Sequence, residues 1–392
     1  MNFEKYKTFT AQDFVFDDHF REILAGKLAP NYSIAQLKQD LPEKSLEIDL
    51  AVNIIKDLDV TVHENSDTRK SELWGKVVAK RSREIRLNLL RYAAVVFLVI
   101  GSGFFTLFLT QNKSEIDKFA SSQNIPVGKE VSLVMSDGEQ IHINNKESKI
   151  QYNHLGTSIL VDDTIQLEQN NDTDGFNQMI VPYGKRSYLL LSDGTKVWIN
   201  SGSRLVYAPQ FTGDTREVFL EGEAYFEVAK DANKPFYVRT DAFTINVLGT
   251  KFNVKAYKDD KEYTTVLVEG KVSMKVQDQF FSKDAILAPN QKMTLIKGQS
   301  DFQRSNVDDT GFYTNWIYGY LEFKNANLSD VLKSIQRYYN IDIELNTKGQ
   351  SSIVSGKLDL KSEPDRILNG LALLSHTKII KSDNKYVVFE QK

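Results

Sequence analysis

Cysteine is absent from the chain. No disulfide, thiolate metal site or cysteine nucleophile is therefore available, and a cysteine-free chain suits oxidising and reducing compartments alike. Histidine is sparse. His19, His63, His142, His154 and His376 are scattered, with no His-x-His or HExxH spacing that could hold a metal. No GxSxG, phosphate-binding loop or GxGxxG element follows a strand. An enzyme, a cofactor and direct nucleic-acid binding are accordingly not expected. Nor is disorder, because 41% of residues are apolar and 11% aromatic. The net charge of −3 averages unlike regions. Residues 1–64 carry twelve acids against seven bases, and residues 65–91 three acids against eight bases. An acidic head on a basic neck suits a basic partner for the head and anionic membrane lipid for the neck.

Charge itself is missing from one stretch, Tyr92 to Leu109 (YAAVVFLVIGSGFFTLFL), in a chain that is 26% charged. As a helix rising ~1.5 Å per residue it would span about 27 Å, close to the ~30 Å of a bilayer's hydrocarbon core. It is apolar on every side, unlike a core helix, so it predicts a single transmembrane helix over 92–109. Lys76, Lys80, Arg81, Arg83, Arg86 and Arg91 precede it, whereas only Lys113 and Lys118 follow closely. The positive-inside bias then puts residues 1–91 in the cytoplasm and everything after Leu109 across the membrane, in a single pass.

The head, 1–91, reads helical. Phe16, Phe20, Ile23, Leu24 and Leu28 recur at helical spacing from Ala11 onward, Ser33 can cap a second helix, and Pro42 can open a third. Such a core is thin. Phe14, Phe16 and Phe20 beside Asp17 and Asp18 either anchor a partner or fill the head's own core.

Past a polar linker, 110–125, the rhythm changes. Over 126–298 apolar residues alternate between Asp-Gly, Gly-Thr and Asn-rich turns, which predicts an antiparallel all-β domain. Two stretches repeat at an offset of 56 residues: VGKEVSLVMSDGEQIHINN (Val127–Asn145) and YGKRSYLLLSDGTKVWINS (Tyr183–Ser201). Each reads strand, Ser-Asp-Gly turn, strand, with Asp-Gly supplying the positive-φ positions of a tight hairpin.

After a second linker, 299–314, residues 315–392 predict a small α+β module ordered βαββαββ, with helices on one side of its sheet. Asn327 can cap a helix bearing Leu328, Val331, Leu332, Ile335, Tyr338 and Tyr339. Ser362-Glu363-Pro364-Asp365 can start another.

Three motifs of the β region, with a core over 180–276, carry a family resemblance. VFLEGEAYFEVAKDANKPFYVRT (Val218–Thr240), INVLGTKFNVKAY (Ile245–Tyr257) and VLVEGKVSMKV (Val266–Val276), with Asp193-Gly194 and Trp198 upstream, resemble the periplasmic core of FecR-type anti-sigma regulators. The C-terminal module is similar to the domain appended to such proteins in Bacteroidetes, and to the short N-terminal signalling domain of secretins and TonB-dependent receptors. The motif residues themselves read as structural. Gly222, Gly249 and Gly270 sit at turns or close backbone approaches, and Phe226 and Phe252 alternate onto a buried face. Glu221, Glu223 and Glu227 fall on the opposite face, expected to be solvated.

The resemblance implies a multidomain membrane protein, single-pass in the inner membrane with its N-terminus cytoplasmic and its C-terminus periplasmic: a small all-α cytoplasmic head, one transmembrane helix, an all-β periplasmic domain and the α+β module. It implies that the head sequesters an extracytoplasmic-function sigma factor. The far side would receive a signal from the signalling domain of a TonB-dependent transporter and so regulate a nutrient-uptake operon. The alternative is a membrane-anchored periplasmic protein that binds glycan or envelope material.

Overall fold

A computed structural model describes residues 4–27, 32–58, 102–103, 114–123, 128–169, 175–277, 284–346, 352–383 and 385–390. Two units emerge, Met1–Asn112 and Lys113–Lys392.

In the first unit, side-chain oxygens next to backbone amides set where helices begin. Thr10 and Asp13 form a capping box that starts α1 (Ala11–Phe16). Asp17 is extended, at φ −79° and ψ 118°, and its carboxylate accepts from the Phe20 amide at 2.8 Å, so α2 (Asp18–Leu24) starts afresh there. One continuous helical run from Ala11 thus becomes two helices. Ser33 caps α3 (Ile34–Asp40), and Pro42 opens a 3-10 turn, Pro42–Lys44, leading into α4 (Ser45–Leu58). Tyr6, Phe14, Phe20, Leu37, Ile48 and Ala51 are sealed in the core between them. Each large apolar side chain buried there contributes about 1.5–3 kcal/mol.

Two expectations need correction. Among the described residues no helix is long and apolar enough to cross a membrane. The longest, α4, has 14 residues, against the ~20 that a bilayer core requires. The fold class of a membrane protein with one transmembrane helix is replaced by a small helical unit and a large β body. The single-pass inner-membrane localisation loses its support with it. The stretch Tyr92–Leu109 that suggested both lies outside the described residues except for Ser102 and Gly103, as does the basic neck, 65–91, with its lipid contact.

The second unit opens with α5 (Glu115–Ser122), where a linker was expected. Its Ile116 and Ala120 pack on Val206 and Phe219 of the β body. The body's strands follow: β1 (Val131–Val134), β2 (Gln140–Ile143), β3 (Glu147–Tyr152), β4 (Ser158–Val161), β5 (Ile165–Glu168), β6 (Asn177–Val181), β7 (Arg186–Leu190), β8 (Lys196–Ile199) and β9 (Ser203–Tyr207). Next come β10 (Arg216–Glu227), β11 (Phe236–Arg239), β12 (Phe243–Val247), β13 (Lys251–Ala256), β14 (Glu262–Glu269), β15 (Val272–Val276), β16 (Ala285–Leu287), β17 (Gln291–Ile296) and β18 (Gln303–Asn306). They form two ladders, β2-β1-β6-β9-β10-β11-β12-β15-β16 and β5-β4-β3-β7-β8-β10-β13-β14-β17-β18.

Strand β10 belongs to both ladders, Arg216–Glu221 pairing in the first and Gly222–Glu227 in the second. Gly222 sits at the crossing with φ +107°, and a Cβ there would lie 2.3 Å from Ser203 Oγ, so only glycine fits. Side chains from both ladders merge in one apolar core, in which Phe226 and Phe252 stack at 5.2 Å.

A short helix, α6 (Gly311–Thr314), and a 3-10 turn, Asn315–Tyr318, lead into the C-terminal module. Its elements are β19 (Tyr320–Asn327), α7 (Leu328–Tyr339), β20 (Asp342–Asn346), β21 (Ile353–Asp359), α8 (Pro364–Ser375), β22 (Thr377–Ser382) and β23 (Lys385–Glu390). Where one sheet was expected there are two, β19-β21 and β20-β23-β22, with Leu332, Ile335, Leu368, Leu371 and Val388 buried among them.

Candidate functional site

The C-terminal module is fastened to the body by one buried arginine. Helix α7 turns Val331, Leu332, Ile335 and Tyr338 into its own core and carries Arg337 on another face, where it is 4% exposed. Its Nη2 donates to both oxygens of Asp259 at 2.8 Å and to Asp260 Oδ1 at 2.6 Å, and its Nη1 donates to Asp260 Oδ2 at 3.2 Å. The two aspartates occupy the turn between β13 and β14. The guanidinium also lies 3.7 Å from the centroid of the Tyr257 ring. Lys333, one helical turn earlier, donates to the Asp259 carbonyl at 2.7 Å.

Electrostatics follow from this packing. Burial alone would raise the Asp260 carboxyl, but the Arg337 hydrogen bond and the charges of Lys255, Arg337 and Lys333 outweigh it and hold it below the usual carboxylate range. Arg337 is correspondingly held charged, its desolvation outweighed by Asp260, Tyr257 and Asp259. Burial pushes the Tyr257 phenol well up, with the Glu223 charge acting in the same direction.

A second fastening lies beside the first. Trp316 is buried and its Nε1 donates to Asn253 Oδ1 at 3.1 Å. Asn253 and Asn200 in turn donate to the two Glu223 oxygens at 3.0 and 2.8 Å. The face of β10 expected to be solvated is therefore partly covered, because Trp316 and its polar relay sit over Glu223. On the neighbouring strand start, the Gly184 amide donates to the Arg337 carbonyl at 2.8 Å, and Arg186 donates to the Trp316 carbonyl. Lys146 and Arg186 each lie 5.2 Å from the centroid of the Tyr338 ring. Between body and module remains a cleft of about 500 Å³, walled by Glu223, Tyr257, Tyr313, Trp316 and Arg337 among others.

The residues singled out from the sequence are dispersed. Phe14 and Phe20 meet at 5.0 Å inside the head's core, and Phe16 is half-buried at its edge. Asp17 accepts from Phe20, from Tyr6 Oη at 2.9 Å and from Lys5 at 2.8 Å, whereas Asp18 is exposed and paired with Arg21. Asp193 pairs with Arg216 at 2.7 Å beside the positive-φ Gly194. Trp198 packs between Tyr188 and Tyr225. Gly249 and Gly270, both at positive φ, crowd Lys230 and Thr250. Tyr92 and Leu109 lie outside the described residues. Asn253, Asp259 and Asp260 escaped sequence reasoning, and their only local signal is an Asp-Asp pair at a strand turn. Among the described residues no group of three or more His, Asp or Glu is placed to hold a metal.

Comparison with known proteins bears on the second unit. A family model described as "FecR protein" matches residues 178–273, and one described as "FecR, C-terminal" matches 320–388. Two crystal structures of a candidate anti-sigma factor from Parabacteroides distasonis, at 1.65 and 2.50 Å, align with TM-scores of 0.51. They are 30% and 29% identical and cover 55% of this chain each, which spans 99% and 100% of theirs. No curated protein matches the chain. That family is a regulatory kind of protein rather than an enzymatic one, with a sigma factor as its partner. The chain belongs to the FecR family of anti-sigma regulators.

Proposed function

We propose that the helical unit sequesters an extracytoplasmic-function sigma factor, and that the second unit takes its signal from the signalling domain of a TonB-dependent transporter to control a nutrient-uptake operon. The observation carrying this reading is family membership combined with a division into two units, one of them lying outside both matched stretches. The chain works in this reading by binding, without catalysis.

Support on the sigma side comes from the surface of the helical unit. Asp13, Asp18, Glu22, Asp40, Glu43 and Asp49 are exposed there, a set suited to the basic, DNA-facing surface of a sigma factor. Leu46 on α4 is 74% exposed between Glu43 and Asp49, an apolar anchor ringed by charge. The half-buried Phe16 at the edge of the core, with Asp17 and Asp18 beside it, lies in the same unit. Phe14 and Phe20 serve by holding that edge in shape.

On the transporter side, β20 pairs only with β23 among the described residues, which leaves an edge for strand addition by the incoming domain. Co-purification of the chain with the sigma factor encoded beside it tests the first half: a complex that Leu46→Asp weakens is expected, and no complex at low salt refutes it. Removing residues 315–392 tests the second. The response to transporter substrate should vanish, and an unchanged response refutes it.

A further inference from the structure

A pocket of about 210 Å³ lies under the second Ser-Asp-Gly turn, away from the module junction. Its walls come from four places: Ser192 and Asp193 of the turn, Arg216 at the start of β10, Ala229 to Lys234 after β10, and Gln210 and Phe211, with His154 at the rim. Arg216 is 2% exposed. Its Nε donates to the Lys234 carbonyl at 2.9 Å, and its Nη1 donates to Asp193 Oδ2 at 2.7 Å and to the Ala229 carbonyl at 2.9 Å. Its Nη2 is buried and has no hydrogen-bond partner. A guanidinium carries five N–H donors in a planar fork, so the two on Nη2 remain unspent. The Phe236 ring, its centroid 5.3 Å from the guanidinium carbon, offsets part of the cost of a buried donor without an acceptor, and an acceptor reaching Nη2 from this pocket would remove the rest.

The surrounding charges favour an anion. Both local carboxylates are already engaged. Asp193 accepts from Arg216, from the Thr195 amide at 3.0 Å and from Thr195 Oγ1 at 2.7 Å, and Asp231 accepts from the amides of Asn233 and Lys234 at 3.0 and 3.2 Å. Lys230 makes no ion pair among the described residues, and Lys234 Nζ donates to the Phe211 carbonyl, which leaves donors to spare. Phe211 adds an apolar wall, which suits a carboxylate carried on a carbon stem better than a bare inorganic ion.

We propose that this pocket binds the carboxylate group of a small organic acid, held by the free edge of Arg216 and the ammonium groups of Lys230 and Lys234. Bound there, the acid bridges the turn, the start of β10 and the 229–234 segment, and ties the second hairpin to the strand shared by both ladders. The inference is independent of what the helical unit binds.

Isothermal titration of the full chain with acetate, citrate and inorganic phosphate in parallel tests it. Saturable binding of a carboxylate is expected, weakened about tenfold or more in Lys230→Gln and Lys234→Gln, which keep the aliphatic stems and remove the charge. Lys292→Gln, at the distant module cleft, should bind like the parent. Arg216→Lys should abolish binding where it folds, and the two lysine variants decide the matter where it does not. Three results would overturn the proposal: no saturable heat up to about 10 mM of any probe, phosphate bound in preference to both carboxylates, or equal affinity in the Lys230, Lys234 and Lys292 variants.

Discussion

The two Ser-Asp-Gly hairpins share a sequence and a turn but not a role. In β1-β2 the Met135 amide donates to the Glu139 carbonyl at 2.8 Å, and in β7-β8 the Leu191 amide donates to the Thr195 carbonyl at 2.9 Å. Gly138 and Gly194 take φ +93° and +84°. Asp137 and Asp193 each accept from the amide two residues on, at 2.9 and 3.0 Å. Beyond the turn the likeness ends. Among the described residues β2 pairs only with β1, whereas β8 lies between β7 and β10. Asp137 is exposed, while Asp193 holds Arg216. A Cβ on Gly128 would meet nothing nearer than 4.0 Å, but one on Gly184 would lie 3.1 Å from Asn340 of the docked module. The repeated residues encode a turn, and position in the sheet decides what is attached to each end of it.

Removing Asp193 should break this comparison hardest. Asp193→Ala strands the buried Arg216 and is expected to lower the stability of the second unit by about 3–5 kcal/mol in urea unfolding. Asp137→Ala, at the matching exposed position, should cost under about 0.5 kcal/mol. Equal losses would show that the turn alone, and not its partner, gives the aspartate its weight.

Next in size is the junction at the strand start. Arg337→Ala removes the hydrogen-bonded counter-charge of Asp260 and leaves Lys255 and Lys333 near it, at 3.5 and 3.6 Å, so the contact should weaken by about 2–3 kcal/mol. Faster amide exchange over α7 and the β13-β14 turn, with β1-β2 unchanged, is the expected reading. Acid should act on the same pair. The Asp260 carboxyl is held below its ordinary 3.8, so its contribution is fully present above that value and is lost as the pH falls through the depressed one. Asp260→Asn should abolish that acid step. Smaller still is Gly184→Ala. At φ +80° and against Asn340 it should cost about 1–2 kcal/mol, against almost nothing for Gly128→Ala.

Much of this was legible in the sequence wherever the cause is local. Asp-Gly pairs announce their own turns, Ser33 announces its helix, and the spacing from Leu328 to Tyr338 follows from one helical face. What escaped depends on residues far apart in the chain. Arg337 and Asp260 are separated by 77 positions, and nothing near either one marks the other. Glu223 reads as an outward side chain of β10, and it is one, but the module lies over that face. The helix at Glu115–Ser122 was hidden for the opposite reason. It is short and mostly polar, and its Ile116 and Ala120 have meaning only against Val206 and Phe219. For Tyr92–Leu109, a charge-free run gave length and polarity, but no helix among the described residues is long and apolar enough to cross a membrane.

The helical unit is proposed to act against a sigma factor, with the second unit as its control. Transcription in vitro from a promoter of the neighbouring sigma factor, with purified full chain titrated in, tests that most directly. Repression that saturates near one chain per sigma factor and weakens with Leu46→Asp is the expected result. Transcription unchanged at about tenfold excess of the chain would contradict it.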